Sequence, residues 1–164
     1  MLSERLLQEM NDQIKHEMYS ANYYLAMAAW CHDQNLPGFA NFFKVQAQEE
    51  NMHAMKFFSF IDELGQRVKI QGMDEPNNDF ESLLTVFEAA YEHEQFVTKR
   101  IHLLMEIAQE EKNYPAISFL NWFVDEQVEE EDNMRSIVDK IKLVGAKGHV
   151  LYMLDREAGT RAAD

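Results

Sequence analysis

Apolar residues recur at every third or fourth position through four long stretches of the chain. The first stripe runs Leu7, Met10, Ile14, Glu17, Ala21, Tyr24, Ala28, and the second Phe43, Gln46, Glu50, His53, Phe57, Phe60, Leu64. The third runs Leu83, Phe87, Ala90, Glu94, Val97, Ile101, Leu104, Ala108, and the fourth Ala116, Leu120, Phe123, Gln127, Glu130, Met134, Ile137, Ile141. That period marks one buried face of a helix. Pro and Gly fall between the stripes, as breakers should. The pattern predicts helices over 3–35 (α1), 38–65 (α2), 79–111 (α3) and 114–144 (α4), with a short fifth over 148–158 (α5). Asp79 and Asn113 are the expected N-caps, and Gly65 and Gly145 the expected stops. The fold class that follows is all-α, a four-helix bundle with a long α2–α3 crossover, forming one domain over 1–164.

Loop lengths set the topology. The turn at 35–38 and the break at 112–115 are short, so α1 and α2 are antiparallel neighbours, as are α3 and α4. The segment 66–78, QRVKIQGMDEPNN, spans about 40 Å when extended. That is about the length of a helix of roughly 26 residues. It can run along the whole bundle and make α2 and α3 parallel.

Each stripe is interrupted at mid-helix by groups foreign to a hydrophobic core: Glu17, Glu50 with His53, Glu94, and Gln127 with Glu130. The two pairs have i,i+3 spacing, which puts both members on one helix face. Glu17 and Glu94 lie 77 positions apart, as do Glu50 and Gln127, His53 and Glu130, Glu49 and Glu126, and His16 and His93. The halves α1–α2 and α3–α4 therefore read as a diverged repeat, whose pseudo-two-fold axis brings the polar sets together. Four converging carboxylates cannot all stay ionised and unpaired. Desolvation costs several kcal/mol per ion, and mutual repulsion raises their pKa values. No Lys or Arg lies on the stripes. Two divalent cations would offset four negative charges, and an oxygen-rich set with one imidazole suits iron or manganese, with zinc as a competitor. The alternative is a structural bundle whose buried acids stay protonated.

Composition narrows the partners. Net charge is −14, which argues against nucleic acid and anionic membranes. With 46% hydrophobic and 27% charged residues the chain is globular. The single Cys31 excludes a disulfide framework and a cysteine-based zinc site. No apolar run is long enough to span a membrane, and the opening MLSERLLQEM already carries helical charges, so the expected compartment is cytoplasmic.

The chain resembles the bacterial non-haem ferritins from NDQIKHEMYSANYYLAMAAW through AQEENMHAMKF and AAYEHEQFVTKRI to FLNWFVDEQVEEED and LYMLDREAG. The resemblance implies an iron store with ferroxidase activity. By that resemblance, Fe(II) would be oxidised by O2 or H2O2 and kept as a ferric mineral inside a hollow shell of 24 subunits with octahedral symmetry. It implies that Glu17, Glu50 and His53 hold a first iron, with Glu50 bridging to a second held by Glu50, Glu94 and Glu130. Gln127 is then a close-lying amide, and Tyr24 an electron donor or hydrogen-bond partner. It also implies a third iron site facing the interior, at Glu49, Glu126, Glu129 and Glu130. Trp122, off the stripe, reads as packing. Val150, Leu151 and Leu154 would be the apolar contacts of α5 near the four-fold axes.

Two departures from related patterns matter. Bacterioferritins carry Met directly after the bridging Glu and a full second Glu-x-x-His. Here Asn51 follows Glu50, Met52 comes one later, and the second pair ends in Glu130, so no haem is expected. Animal ferritins place acids along a three-fold channel where this chain has Ile117 and Leu120. The alternatives to a ferritin are a soluble di-iron oxidase or peroxide scavenger, or a bacterioferritin-like protein.

Overall fold

The computed structural model describes residues 1–163, which hold five helices and no strand: α1 Glu4–Asp33, α2 Pro37–Glu63, α3 Leu83–Glu110, α4 Tyr114–Val144 and α5 Gly148–Ala158. Several boundaries have a local cause. Ser3 caps α1 by accepting the Leu6 N–H at 3.0 Å. Asn113 caps α4 by accepting the Ala116 N–H at 3.2 Å, with Pro115 in the first turn. Gly65 and Gly145 follow α2 and α4 with φ of 70° and 76°, a left-handed backbone that costs glycine little.

Helix α3 starts at Leu83, the first residue of its stripe and later than the expected 79, and its cap is Ser82 rather than Asp79. Ser82 Oγ accepts the Thr85 N–H at 3.1 Å. The Asp79 N–H is turned back onto Asn77 Oδ1 at 3.2 Å, a local turn that competes with helix.

Helix α1 packs on α2, α3 on α4, α1 also on α3, and α5 on α2. The crossover follows α1 from its first turn to its last. Gln66 exchanges two hydrogen bonds with the Leu2 backbone (2.6 and 3.0 Å). The Lys69 N–H donates to Asn11 Oδ1 at 2.6 Å and Gln71 to Asp12 at 2.7 Å. The Trp30 indole N–H then donates to the Phe80 carbonyl at 3.1 Å. The chain is thereby returned to the end of the bundle where α2 began, and α3 runs parallel to α2.

The interior is divided into two apolar clusters. One contains Leu6, Met10, Ile14, Phe57, Ile61, Val97, Ile101, Leu104, Leu120 and Phe123. The other contains Tyr24, Met27, Phe39, Phe43, Val86, Phe87, Met134 and Ile141. Burying one large apolar side chain is worth about 1.5–3 kcal/mol, so these clusters hold the bundle together from both ends. Between them, Glu17, Gln46, Glu50, His53, Glu94, Gln127 and Glu130 form a fully buried polar layer.

Three expected stripe positions shift by one residue towards the helix ends: Leu6, Ile61 and Val138 are buried, whereas Leu7, Phe60 and Ile137 are partly exposed. A straight helix drifts relative to any fixed 3–4 repeat, which produces such slippage. Leu64 is also only partly buried, and Leu120 lies in the core while Ile117 flanks it.

Helix α5 is fixed by Asp155, whose carboxylate accepts the Phe39 N–H at the start of α2 at 2.9 Å. Leu151 and Leu154 turn towards the protein's own core. The outward apolar side chains are Val150, Tyr152 and Met153.

Candidate metal centre

Every helix of the bundle contributes to the buried layer: α1 brings Glu17, α2 Gln46, Glu50 and His53, α3 Glu94, and α4 Gln127 and Glu130. The carboxylates and the imidazole come together in overlapping groups. Ligand atoms of Glu17, Glu50 and His53 lie within 4.8 Å of one another, and so do those of Glu50, Glu94 and Glu130. Glu50 is shared by both groups. His53 Nδ1 is 3.4 Å from Glu50 and 3.8 Å from Glu17. The Glu17 and Glu50 carboxylate oxygens that face His53 are buried with no hydrogen-bond partner. Such orphaned acceptors are costly. They are what a cation would satisfy.

Amides organise the remaining oxygens. Gln13 donates to Glu17 at 2.8 Å. Gln46 donates to Glu130 at 2.7 Å and to Glu50 at 3.3 Å. Gln127 donates to the Glu94 carboxylate at 3.1 Å and to its carbonyl and the Thr98 hydroxyl at 3.3 Å each. Tyr24 OH makes a very short hydrogen bond to Glu94. The roles of Gln13, Gln46 and Thr98 were not read from the sequence. A faint signal existed for the first two, since each sits one turn before the carboxylate on its own helix.

Electrostatics show a layer that holds protons when no metal is present. Burial pushes the Glu50 carboxyl well above the carboxylate range, with Glu94 and Glu17 adding repulsion and His53 opposing it. Burial and Glu94 push Glu130 up to about 8, against the pull of the Gln46 amide. Glu94 rises to about 6, driven by burial and held back by Tyr24 and Gln127. Burial also acts on Glu17, but hydrogen bonds and charge from His53, with Glu50 and Gln13, outweigh it and hold that carboxyl low. For His53, burial favours the neutral ring, yet Glu126, Glu17 and Glu50 raise its pKa above the ordinary value. Tyr24 is raised well above its usual range by burial and by Glu94.

The acids assigned to an interior third site are arranged less tightly. Glu126 Oε1 lies 3.7 Å from His53 Nε2, and His53, Glu126 and Glu130 form a further group within 4.8 Å. Glu49 is buried and bonded to Arg161 at 2.7 Å. It lines a cavity of about 470 Å³ together with the exposed Glu129. Among the described residues, Glu49, Glu126, Glu129 and Glu130 do not meet in one group. Trp122 does more than pack against carbon: its ring stands edge-on to His53 at 5.4 Å, with Lys56 Nζ 4.1 Å above it. Met52 is exposed on α2, beside Met55 and Trp122 in an apolar groove.

Comparison with known proteins agrees with this geometry. A family model described as the ferritin-like domain matches residues 7–144. The chain is 43% identical over 164 residues to a bacterial non-heme ferritin of Staphylococcus aureus, covering 100% of this chain and 99% of the relative. It is 46% identical over 156 residues to the bacterial non-heme ferritin of Campylobacter jejuni, covering 95% and 93%. Among solved structures, an engineered closed form of the Archaeoglobus fulgidus ferritin superposes with a TM-score of 0.97 at 46% identity, over 100% of both chains. An open-pore ferritin from the same archaeon gives 0.96 at 46% identity, over 98% of each chain.

Proposed function

Because the chain belongs to the ferritin-like family, we propose that it stores iron and oxidises Fe(II) at the buried layer between its two apolar clusters. The observation that carries this reading is the pair of ligand groups sharing Glu50, in which two buried carboxylate oxygens face His53 without a hydrogen bond. Iron is the substrate here. Glu17, Glu50 and His53 take one Fe(II), and Glu50, Glu94 and Glu130 take the other. Four carboxylates neutralise two divalent cations in an environment that excludes water and strengthens each interaction.

The neighbours set geometry and charge. Gln127, an amide where the internal repeat has Glu50, orients Glu94 without adding a negative charge. The second ion is then held less tightly than the first, which suits a site that must release product. Tyr24 fixes the other Glu94 oxygen and stands ready as a nearby phenol. Protons held on Glu50, Glu130 and His53 leave as iron enters. The oxidant is O2 or H2O2, which takes the electrons of both ferrous ions. Glu126 and Glu130, with Glu49 and Glu129 beyond them, carry the ferric product towards an interior third position.

The protein assembles as a hollow cage of identical subunits, 24 in octahedral symmetry. The exposed apolar face of α5 (Val150, Tyr152, Met153) supports subunit contacts there. A cytoplasmic location goes with this reading.

Aerobic addition of Fe(II) tests the function. Wild type forms Fe(III) rapidly, whereas Glu50→Ala and His53→Ala lose about 100-fold or more in initial rate, as removal of a metal ligand should cause. Wild-type rates in both variants would show that oxidation occurs elsewhere.

A further inference from the structure

Arg161 lies on the tail that leaves α5, yet its guanidinium reaches the inner flank of the metal centre. Its Nη2 donates to Glu49 Oε2 at 2.7 Å, and its guanidinium carbon sits 4.3 Å over the Phe42 ring. The ion pair is largely withdrawn from solvent, with side-chain exposures of 18% for Arg161 and 10% for Glu49. The tail is held in place by α2. The Asn41 side-chain amide donates to the Arg161 carbonyl at 3.0 Å and to the Gly159 carbonyl at 3.4 Å. Upstream, Asp155 is bonded to the Phe39 N–H, and Gly38 leaves no space for a side chain against Asp155. Arg161 Nη1 is buried and has no acceptor. Only one prong of the guanidinium fork is hydrogen-bonded, so the grip on Glu49 falls short of a bidentate pair. The pair borders the cavity that Glu129 also lines.

We propose that Arg161 is a built-in, displaceable cation that competes with metal ions for Glu49, so that loading the inner flank beyond the first two ions releases the C-terminal tail. The proposal rests on the reading above for the two-ion centre and its interior third position. A Glu49 oxygen that accepts a charge-assisted hydrogen bond is not available as a metal ligand in that geometry. A divalent ion beside the guanidinium would also meet like charge in a partly dry site. The apparent affinity for a third ion is then lowered according to the fraction of molecules in which Arg161 stays closed. Linkage requires the reverse effect too: a bound third ion favours the open tail by the same factor.

Anaerobic titration of the assembled protein with Zn(II), a redox-inert probe, separates the possibilities by calorimetry. Wild type takes two equivalents tightly and a third weakly. Arg161→Gln leaves the first two unchanged and tightens the third about tenfold. Asn41→Ala, which frees the tail but keeps the charge, shifts the third in the same direction by less. Hydrogen exchange of the C-terminal peptide, followed by mass spectrometry, gives a second readout. Exchange in wild type rises as the third equivalent binds, while in Arg161→Gln it is fast throughout. A third equivalent of equal affinity in wild type and Arg161→Gln overturns the lock, as does tail exchange that ignores loading. Two equivalents with no third in any variant overturn the lock and the third site while leaving the two-ion centre standing. Loss of the first two equivalents in wild type overturns the centre itself.

Discussion

Glu50 and Glu130 carry the strongest departures from ordinary carboxylate behaviour, and the pH response of the metal-free protein follows from them. Glu130 and Glu94 have folded-state values of about 8 and 6, raised from 4.5. A raised carboxyl means that the folded state binds more protons than the unfolded chain between those values. Its stabilising contribution is complete below about 4.5 and is lost as pH rises through 6 and then 8. Glu17, held low, acts oppositely, and its contribution is lost only as pH falls below its ordinary value. Thermal unfolding of metal-free protein should therefore show a lower Tm at pH 8.5 than at pH 5.5. Zn(II) should abolish most of that difference, because it replaces the protons. Zn(II) affinity should rise between pH 6 and 8, with proton release visible as buffer-dependent binding heat. A Tm that climbs steadily from pH 5.5 to 8.5 without metal would contradict this account. The sequence already placed these acids on the buried stripes. It did not reveal which would hold protons, because that depends on Gln46, Gln127 and Tyr24, which reach them from other helices.

At the scale of elements, the docking of α5 depends on one small residue. A Cβ at Gly38 would come within 1.7 Å of the Asp155 carbonyl oxygen, a backbone atom that cannot swing aside. Gly38→Ala should push α5 off α2, break the Asp155 bond to the Phe39 N–H, and lower Tm by several degrees, consistent with a loss of about 2 kcal/mol or more. Gly72→Ala, with open space around it, is the control and should change Tm little. Equal Tm values for the two variants would show that α5 docking adds nothing. Helix periods and capping residues made most elements legible beforehand. The start of α3 was not, because Asp79 and Ser82 are both good caps. The choice between them was made by the crossover, where Asn77 captures the Asp79 N–H and Trp30 holds the Phe80 carbonyl.

The whole molecule separates two tasks, with a buried centre inside each bundle and an apolar α5 face outside it. If that face joins subunits into the cage, the tasks can be uncoupled. Tyr152→Lys together with Met153→Asp places charges on the exposed face, and the protein should elute from a sizing column as small species rather than a large shell. Its two tight Zn(II) equivalents should persist, since none of the ligands lies on α5. Elution as a full shell would mean that assembly does not use this face.

The primary structure by itself determined the helices, their antiparallel pairing and the parallel crossover, because periodicity, breakers and chain reach are local properties. It also determined that Glu17, Glu50, His53, Glu94, Gln127 and Glu130 interrupt the buried stripes at one level, because residues on a stripe must face the core. The tertiary structure alone decided the rest. It showed that Gln46 reaches across to Glu130 on α4, that Leu151 and Leu154 turn inward, and that Glu49 is bonded to Arg161 from the far end of the chain. Those outcomes depend on side-chain reach between elements and on the rotation of α5 about its own axis. Neither has a periodic signature, so neither can be read along the chain.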